Sequence, residues 1–273
     1  MTFDVNNCIK VMIVVVVVCI IILFAISLTQ TTREDYTDIE SKTMIHQLVD
    51  KVYVVCLDKR RKYIKDIMKK YNIKVKIIRA IPKDILNRDD LINNNIIDKD
   101  CELNIGRIAC HLSHIKTLKK FLSTDGQSCL IFEDDLKPPD PNINYHEKIN
   151  YIVNSVPYDY DIIYLGRCWD ECEHDIEIVP GVVQSFFPQC RHAYITSREG
   201  AKKIINYSLP MGKYPGDSSI ANLIKDKTIT SYAATPPIFF QNRSEIGSEL
   251  NNKDSLRECS STPSQSPSYI SIY

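Results

Sequence analysis

The hydrophobic profile opens on eighteen consecutive uncharged positions, Val11 to Leu28, with Cys19 and Ser27 as the mildly polar members. A run of that length spans about 30 Å of hydrocarbon as a helix. A lone segment in lipid satisfies its own backbone only in helical form. Residues 10–28 are therefore expected to be a transmembrane anchor after a short tail, 1–9. The alternative is a cleaved signal peptide, for which Ala25 and Ser27 supply the small residues. Residues 29–47 are polar and lack a sustained period, which reads as a stem, and 247–273 form a Ser- and Pro-rich tail expected to be disordered. Residues 48–246 remain as one folded domain.

Within that domain, Val52 to Leu57 is a short apolar run of buried-strand type. Ile64, Ile67 and Met68 follow at helical spacing between Lys59 and Tyr71, and Val75 to Ile78 supplies another strand. This strand-helix-strand order predicts a parallel pairing. Ile85 to Asp100, rich in Asn and Asp, is expected to loop outward. Ile108, Leu112, Ile115, Leu118 and Leu122 then form one helical stripe. The strand Cys129 to Phe132 runs directly into Glu133, Asp134 and Asp135. Asp161 to Leu165 and His192 to Ile195 read as further strands, and Ser197 caps a helix reaching Ile205. The expected class is α/β with a mostly parallel central sheet, preceded by the transmembrane helix.

Composition narrows the function. The 34 basic and 34 acidic residues balance, which argues against a nucleic-acid partner. Because the bulk of the chain follows the apolar run, a type II single-pass arrangement with a luminal C-terminal domain is expected. The sequons at Asn206 and Asn242 agree with that placement. Ten cysteines permit an oxidising compartment. Cys168, Cys172, His174, Cys190 and His192 do not have zinc-signature spacing. A disulfide from Cys190 to either Cys168 or Cys172 is the preferred reading, with buried thiols as the alternative.

Three adjacent carboxylates at a strand end repel one another unless a cation or solvent relieves them. Strand alternation puts Glu133 and Asp135 on one side and Asp134 on the other. Hard oxygen donors in that position suit Mn²⁺ or Mg²⁺ holding a diphosphate beyond the carboxyl ends of the strands. The bland reading is an acidic turn stopped by Pro138 and Pro139. Asp217 precedes an apolar helix carrying Ile220, Leu223 and Ile224, the pattern of a helix N-cap.

The segments VYVVCLDKRRKYI (52–64), GRIACHLSHIKTLKKFL (106–122), SCLIFEDDLKP (128–138), DIIYLG (161–166) and HAYITSREGAKKI (192–204) resemble, in order, those of glycosyltransferase family 25. That family includes lipopolysaccharide and collagen β-galactosyltransferases. The resemblance implies a GT-A-like nucleotide-sugar fold, a UDP-hexose donor carrying galactose or glucose, Mn²⁺ (or Mg²⁺), and inverting transfer to an acceptor hydroxyl. The acceptor would be a glycan, a lipid-linked sugar or hydroxylysine. It further implies that Leu57, Asp58, Arg60 and Arg61 border the nucleotide and phosphate. The acidic motif takes the DxD role: Asp135 on the metal, Glu133 near metal or ribose, and Asp134 in support. Asp217 resembles the late acidic residue and would be the general base that inversion requires, with a helix N-cap as its alternative role and Asp170 and Glu171 in reserve. Ser113 and His114 resemble a family Ser-His pair that braces the acidic loop or touches the donor, and Gln241 resembles a late Gln near the acceptor. Cys56 departs from the family's usual Asn and puts base recognition in question. Two rival readings stand beside this one: an inactive glycan- or nucleotide-binding module, and a nucleotidyltransferase releasing pyrophosphate.

Overall fold

The computed structural model describes residues 45–168 and 171–247. In chain order the elements are α1 (Ile45–Leu48), β1 (Lys51–Cys56), α2 (Arg61–Tyr71), β2 (Lys76–Arg79), α3 (Arg88–Asn93), α4 (Ile105–Leu122), β3 (Ser128–Glu133) and α5 (Tyr145–Ser155). There follow β4 (Ile162–Cys168), β5 (Ile176–Val179), β6 (Val182–Gln184), β7 (Gln189–Ser197), α6 (Arg198–Tyr207), α7 (Gly216–Lys225), β8 (Ser231–Ala234) and α8 (Arg243–Ile246).

The strands form one eight-stranded sheet in the order β2-β1-β3-β7-β4-β8-β6-β5. Its central strands are buried at nearly every position, and their side chains leave alternately to two faces. Val52, Val54, Leu130, Phe132, Ile163 and Leu165 pack with α1, α2 and α5, through Ile45, Ile64, Ile67, Ile149 and Ile152. Tyr53, Val55, Cys129, Ile131, Ile162 and Tyr164 pack with α4, α6 and α7, through Ile115, Leu118, Phe121, Ala201, Ile204, Ile220 and Ile224. The sheet is thus covered on both sides, the three-layer solution for a strand set with two apolar faces.

Local signals place the helices. Asn72, at φ 53°, ends α2 in the left-handed conformation that Asn tolerates. The side chains of Asn104 and Ser197 accept from Arg107 N–H and Gly200 N–H at the starts of α4 and α6. The stretch expected to loop outward contains α3, capped by Asn87 accepting from Asp90 N–H. Leu91 and Ile97 fold back there onto Leu103, Ile108 and Met211.

Two expectations are corrected. The sheet is mixed rather than mostly parallel: β1 is parallel to β2 and β3, and β4 to β8, whereas β7 is antiparallel to β3 and β4. β5-β6 and β6-β8 are antiparallel too. An apolar strand buried on both faces has the same pattern whichever way it is threaded, so periodicity leaves direction open. The single-pass type II placement is also overturned. Among the described residues no helix is long and apolar enough to cross a membrane. The longest, α4, carries Arg107, Lys116, Lys119 and Lys120 along its 18 residues and packs against the sheet. The segment 10–28, residues 29–44 of the stem and residues 248–273 of the tail lie outside the described residues, whereas the last three stem residues belong to α1, with Ile45 buried.

Candidate active site

The carboxyl ends of β1 and β3 and the amino end of the antiparallel β7 meet at one edge of the sheet. There a cleft of about 760 Å³ opens. In α/β sheets this edge is where ligands bind, because backbone and helix termini are free to face them. Leu57, Asp58, Arg60, Ser113, His114, Glu133, Asp134, Asp135, Asp217 and Gln241 all line the cleft. Residues from five separate stretches of chain therefore share one cavity. Arg61, on the first turn of α2, is not among the lining residues, and Asp170 lies outside the described ones. Glu171 sits 3.9 Å from Lys225 and does not reach the cavity lining.

The three acids diverge in role. β3 ends at Glu133, so Asp134 and Asp135 belong to the turn beyond it. Asp134 faces the end of β1: its Oδ2 accepts from Leu57 N–H at 2.7 Å and its Oδ1 pairs with the Arg60 guanidinium at 2.9 Å. Arg60 also donates to Gly247 C=O at 2.9 Å. Asp134 therefore ties the two strand-end turns together, with Arg60 as its counter-ion.

Glu133 and Asp135 face the cleft. Residues 240–242 run beside the turn, with Lys137 N–H donating to Phe240 C=O and Asn242 N–H donating to Asp135 C=O. This pairing sets Gln241 Nε2 at 3.2 Å from Glu133 Oε2 and 3.1 Å from Asp135 Oδ2. Arg243 donates to Gln241 Oε1 at 2.7 Å and so fixes which end of the amide meets the acids. Burial, then the charges of Glu133 and Asp134, push the Asp135 carboxyl up to about 7. Burial raises Glu133 as well, although its side chain keeps 21% of its surface open. Two carboxyls with raised affinity for a proton converge on one amide nitrogen, a donor set that suits a hard divalent cation.

α4 supplies the opposite wall. His114 Nε2 is 3.0 Å from Glu133 Oε1, and its Nδ1 is 3.1 Å from the Tyr194 hydroxyl. Burial, reinforced by Arg191, holds this imidazole well below its ordinary value and so neutral. Ser113 turns the other way, donating to Ala109 C=O and accepting from Ile81 N–H at 2.9 Å. It anchors the loop after β2 and does not act as a partner to His114. Cys110, one turn before His114, brings its Sγ within 4.8 Å of the His114 and Glu133 ligand atoms.

Asp217 lies on the first turn of α7 and is half-buried, with Oδ1 accepting from Ser218 N–H at 3.0 Å. The N-cap of that helix is Pro215, so the carboxylate is not in the capping role. Pattern reading missed Cys110, His111, Gln189 and Arg191, which also line the cleft. Arg191 is 4% exposed and donates to His111 Nδ1 at 3.2 Å, while His111 Nε2 meets the Ser208 hydroxyl at 2.9 Å. An arginine directly ahead of the run His192 to Ile195 was the available signal.

The disulfide choice resolves to Cys168 with Cys190, which pins the amino end of β7 to β4. His192 instead meets Phe239 C=O at 2.9 Å, and His174 packs on Phe186. Of the sequons, Asn206 is exposed on α6, whereas Asn242 is 3% exposed and donates to the Tyr63 hydroxyl.

Residues 49–179 match the family model described as glycosyltransferase family 25 (LPS biosynthesis protein). Procollagen galactosyltransferase 2 of Homo sapiens is 26% identical over 199 residues, 67% of this chain and 32% of that protein. Procollagen galactosyltransferase 1-B of Xenopus laevis is 25% identical over 223 residues, 75% of this chain and 36% of that protein. A probable inactive glycosyltransferase 25 family member 3 of Rattus norvegicus is 27% identical over 108 residues, 38% of this chain and 18% of that one. The chain thus spans about a third of the length of the galactosyltransferases it matches. Among solved structures, the crystal structure of A197 from STIV aligns at a TM-score of 0.38 and 14% identity, covering 69% of this chain and 81% of that one.

Proposed function

Because the chain belongs, through residues 49–179, to glycosyltransferase family 25, we propose that residues 48–246 form a GT-A-like hexosyltransferase domain. It moves galactose or glucose from a UDP-sugar to an acceptor hydroxyl with inversion. The observation that carries this reading is the convergence of Glu133 and Asp135 on Gln241 at the mouth of a cleft that Asp217 also lines.

Glu133 and Asp135 fit a hard divalent ion, Mn²⁺ or Mg²⁺, since both are oxygen donors and burial raises both carboxyls. When bound, such an ion supplies charge neutralisation for the departing diphosphate. The rest falls to the chain. Leu57 and Asp58, at the end of β1, border the nucleotide. Arg60 acts through Asp134, holding the acidic turn against β1, and so positions rather than contacts the donor. His114, kept neutral, orients Glu133 through one ring nitrogen. Asp217, on the opposite wall, takes the proton from the acceptor hydroxyl as it attacks the anomeric carbon. Acceptors of the glycan, lipid-linked sugar or hydroxylysine class fit an open cleft lined on one side by Gln189, Pro215 and Ser218.

UDP release by the purified chain from a panel of UDP-sugars with Mn²⁺, beside Asp135→Ala and a chelator, tests the reading. Release confined to one sugar and lost with Asp135 supports it, and pyrophosphate from a nucleoside triphosphate would replace it with a nucleotidyltransferase. An inactive binding module is the second reading, favoured by the probable inactive relative and by Cys56, whose thiol donates to Leu57 C=O. It requires UDP binding by calorimetry without turnover on any acceptor.

A further inference from the structure

We propose that Cys110, His114 and Glu133 form a second cation site, selective for a thiophilic divalent ion of the zinc class. Cys110 and His114 are four residues apart on α4, which sets both side chains on one helix face. Glu133 meets that face from the end of β3. One ligand atom from each residue lies within 4.8 Å of the others, and His114 Nε2 and Glu133 Oε1 are already 3.0 Å apart. Tetrahedral zinc with sulfur, nitrogen and oxygen ligands needs about 3.3–3.6 Å between those atoms. Side-chain rotation of Cys110 is the largest adjustment required.

Three features separate this trio from a chance cluster. Its chemistry is mixed: one thiol, one imidazole and one carboxylate, a set that favours zinc or cobalt over manganese or magnesium. Its imidazole has an outer partner, since Tyr194 faces Nδ1 at 3.1 Å and leaves Nε2 toward the other two ligands. Its thiol is reachable: Cys56, Cys101 and Cys129 are buried, whereas Cys110 is half-buried and lines the cleft. Charge closes as well. Burial and the Glu133 charge push the free Cys110 thiol well up, so binding must release its proton to solvent, after which thiolate and carboxylate neutralise the ion. Three protein ligands leave the fourth position facing the cavity.

Glu133 is shared with the Glu133–Asp135 pair, so the zinc-class ion and the hard ion compete for one carboxylate. Zinc would therefore inhibit sugar transfer in competition with Mn²⁺. That consequence rests on the transferase reading, whereas binding itself does not.

Titrating Co²⁺ into the metal-free full-length chain under inert gas tests the site without any activity assay. The expected result is one equivalent bound with a thiolate-to-cobalt absorption band, displaced by equimolar Zn²⁺ and not by a hundredfold excess of Mn²⁺. Cys110→Ser should lose the band and weaken Zn²⁺ binding at least about tenfold. Zinc protection of Cys110 against maleimide, located by mass spectrometry on the unsubstituted chain, gives the same answer even if that variant fails to fold. A band that survives in Cys110→Ser, cobalt binding without a band, or alkylation of Cys110 unaffected by zinc overturns the proposal.

Discussion

Gln241 donates its amide nitrogen to both carboxylate oxygens of Asp135, at 3.3 and 3.1 Å, and Arg243 holds the amide's other end. That amide is a weak offset for a buried acid beside two others, and the Asp135 carboxyl stands at about 7 instead of its ordinary 3.8. Between those values the unfolded chain has lost a proton that the folded chain keeps. Stability therefore falls as pH rises from about 4 to about 7 and levels off above. In chelator, Asp135→Asn should gain stability on the order of 2–4 kcal/mol at pH 8, fading toward zero near pH 4. Urea unfolding at a series of pH values measures it. A gain independent of pH would assign the effect to packing rather than ionisation.

The Arg60–Asp134 pair is the opposite case, a charge that is matched. Both side chains are about nine-tenths buried, at 10% and 9% exposed. Arg60→Ala leaves the buried Asp134 carboxylate facing β1 without its counter-ion, although the Leu57 N–H remains, and should cost about 3 kcal/mol. Denaturation at pH 7 reads the loss directly. A cost under about 1 kcal/mol would mean that solvent reaches Asp134 once the guanidinium is gone.

Asp217→Asn keeps the shape of the first turn of α7 and removes the proton acceptor. If Asp217 is the base, kcat for transfer should fall by about 10²–10⁴ while the KM for the donor stays within about threefold. Initial rates with donor and acceptor varied separately distinguish the two. A rise in donor KM with kcat unchanged would move Asp217 to a binding role.

Gly216 starts α7 against the ring of His111, where an added Cβ would overlap the imidazole. His111 is itself locked between Arg191 and Ser208 and has little room to retreat. Gly216→Ala should therefore destabilise the chain by about 1–3 kcal/mol, seen as a lower thermal midpoint. An unchanged midpoint would show that the α7 start shifts freely, and a cleft wall that moves so easily would not hold Asp217 in place.

Burial of His111 and His114 sets a further pH dependence. Both imidazoles are held well below their ordinary 6.5, by desolvation first and then by Arg191. The unfolded chain takes up protons that the folded chain refuses, so their contribution is lost as pH drops below about 6.5. His111→Gln should show a smaller stability penalty at pH 5 than at pH 8. Equal penalties at the two values would remove protonation as the cause.

Order along the chain was sufficient for much of this protein. The strands at 52–57, 129–132 and 161–165, the helix stripe from Ile108 to Leu122 and the Ser197 cap follow from periodicity, because burial on a face leaves its period in the residues themselves. The acidic strand end was legible for the same reason: three carboxylates after an apolar run conflict with their surroundings and stand out. Alternation correctly set Glu133 and Asp135 apart from Asp134.

Only the tertiary structure decided strand direction, since β7 lies antiparallel between β3 and β4 with a pattern that reads identically either way. It also decided partners. Arg60 belongs to Asp134, Gln241 to Glu133 and Asp135, and Cys190 to Cys168, across separations of 74, 108, 106 and 22 residues. Nothing local specifies such a pairing. A side chain's chemistry is written in its residue, but the atoms it faces are set by how the sheet brings distant strand ends to one edge.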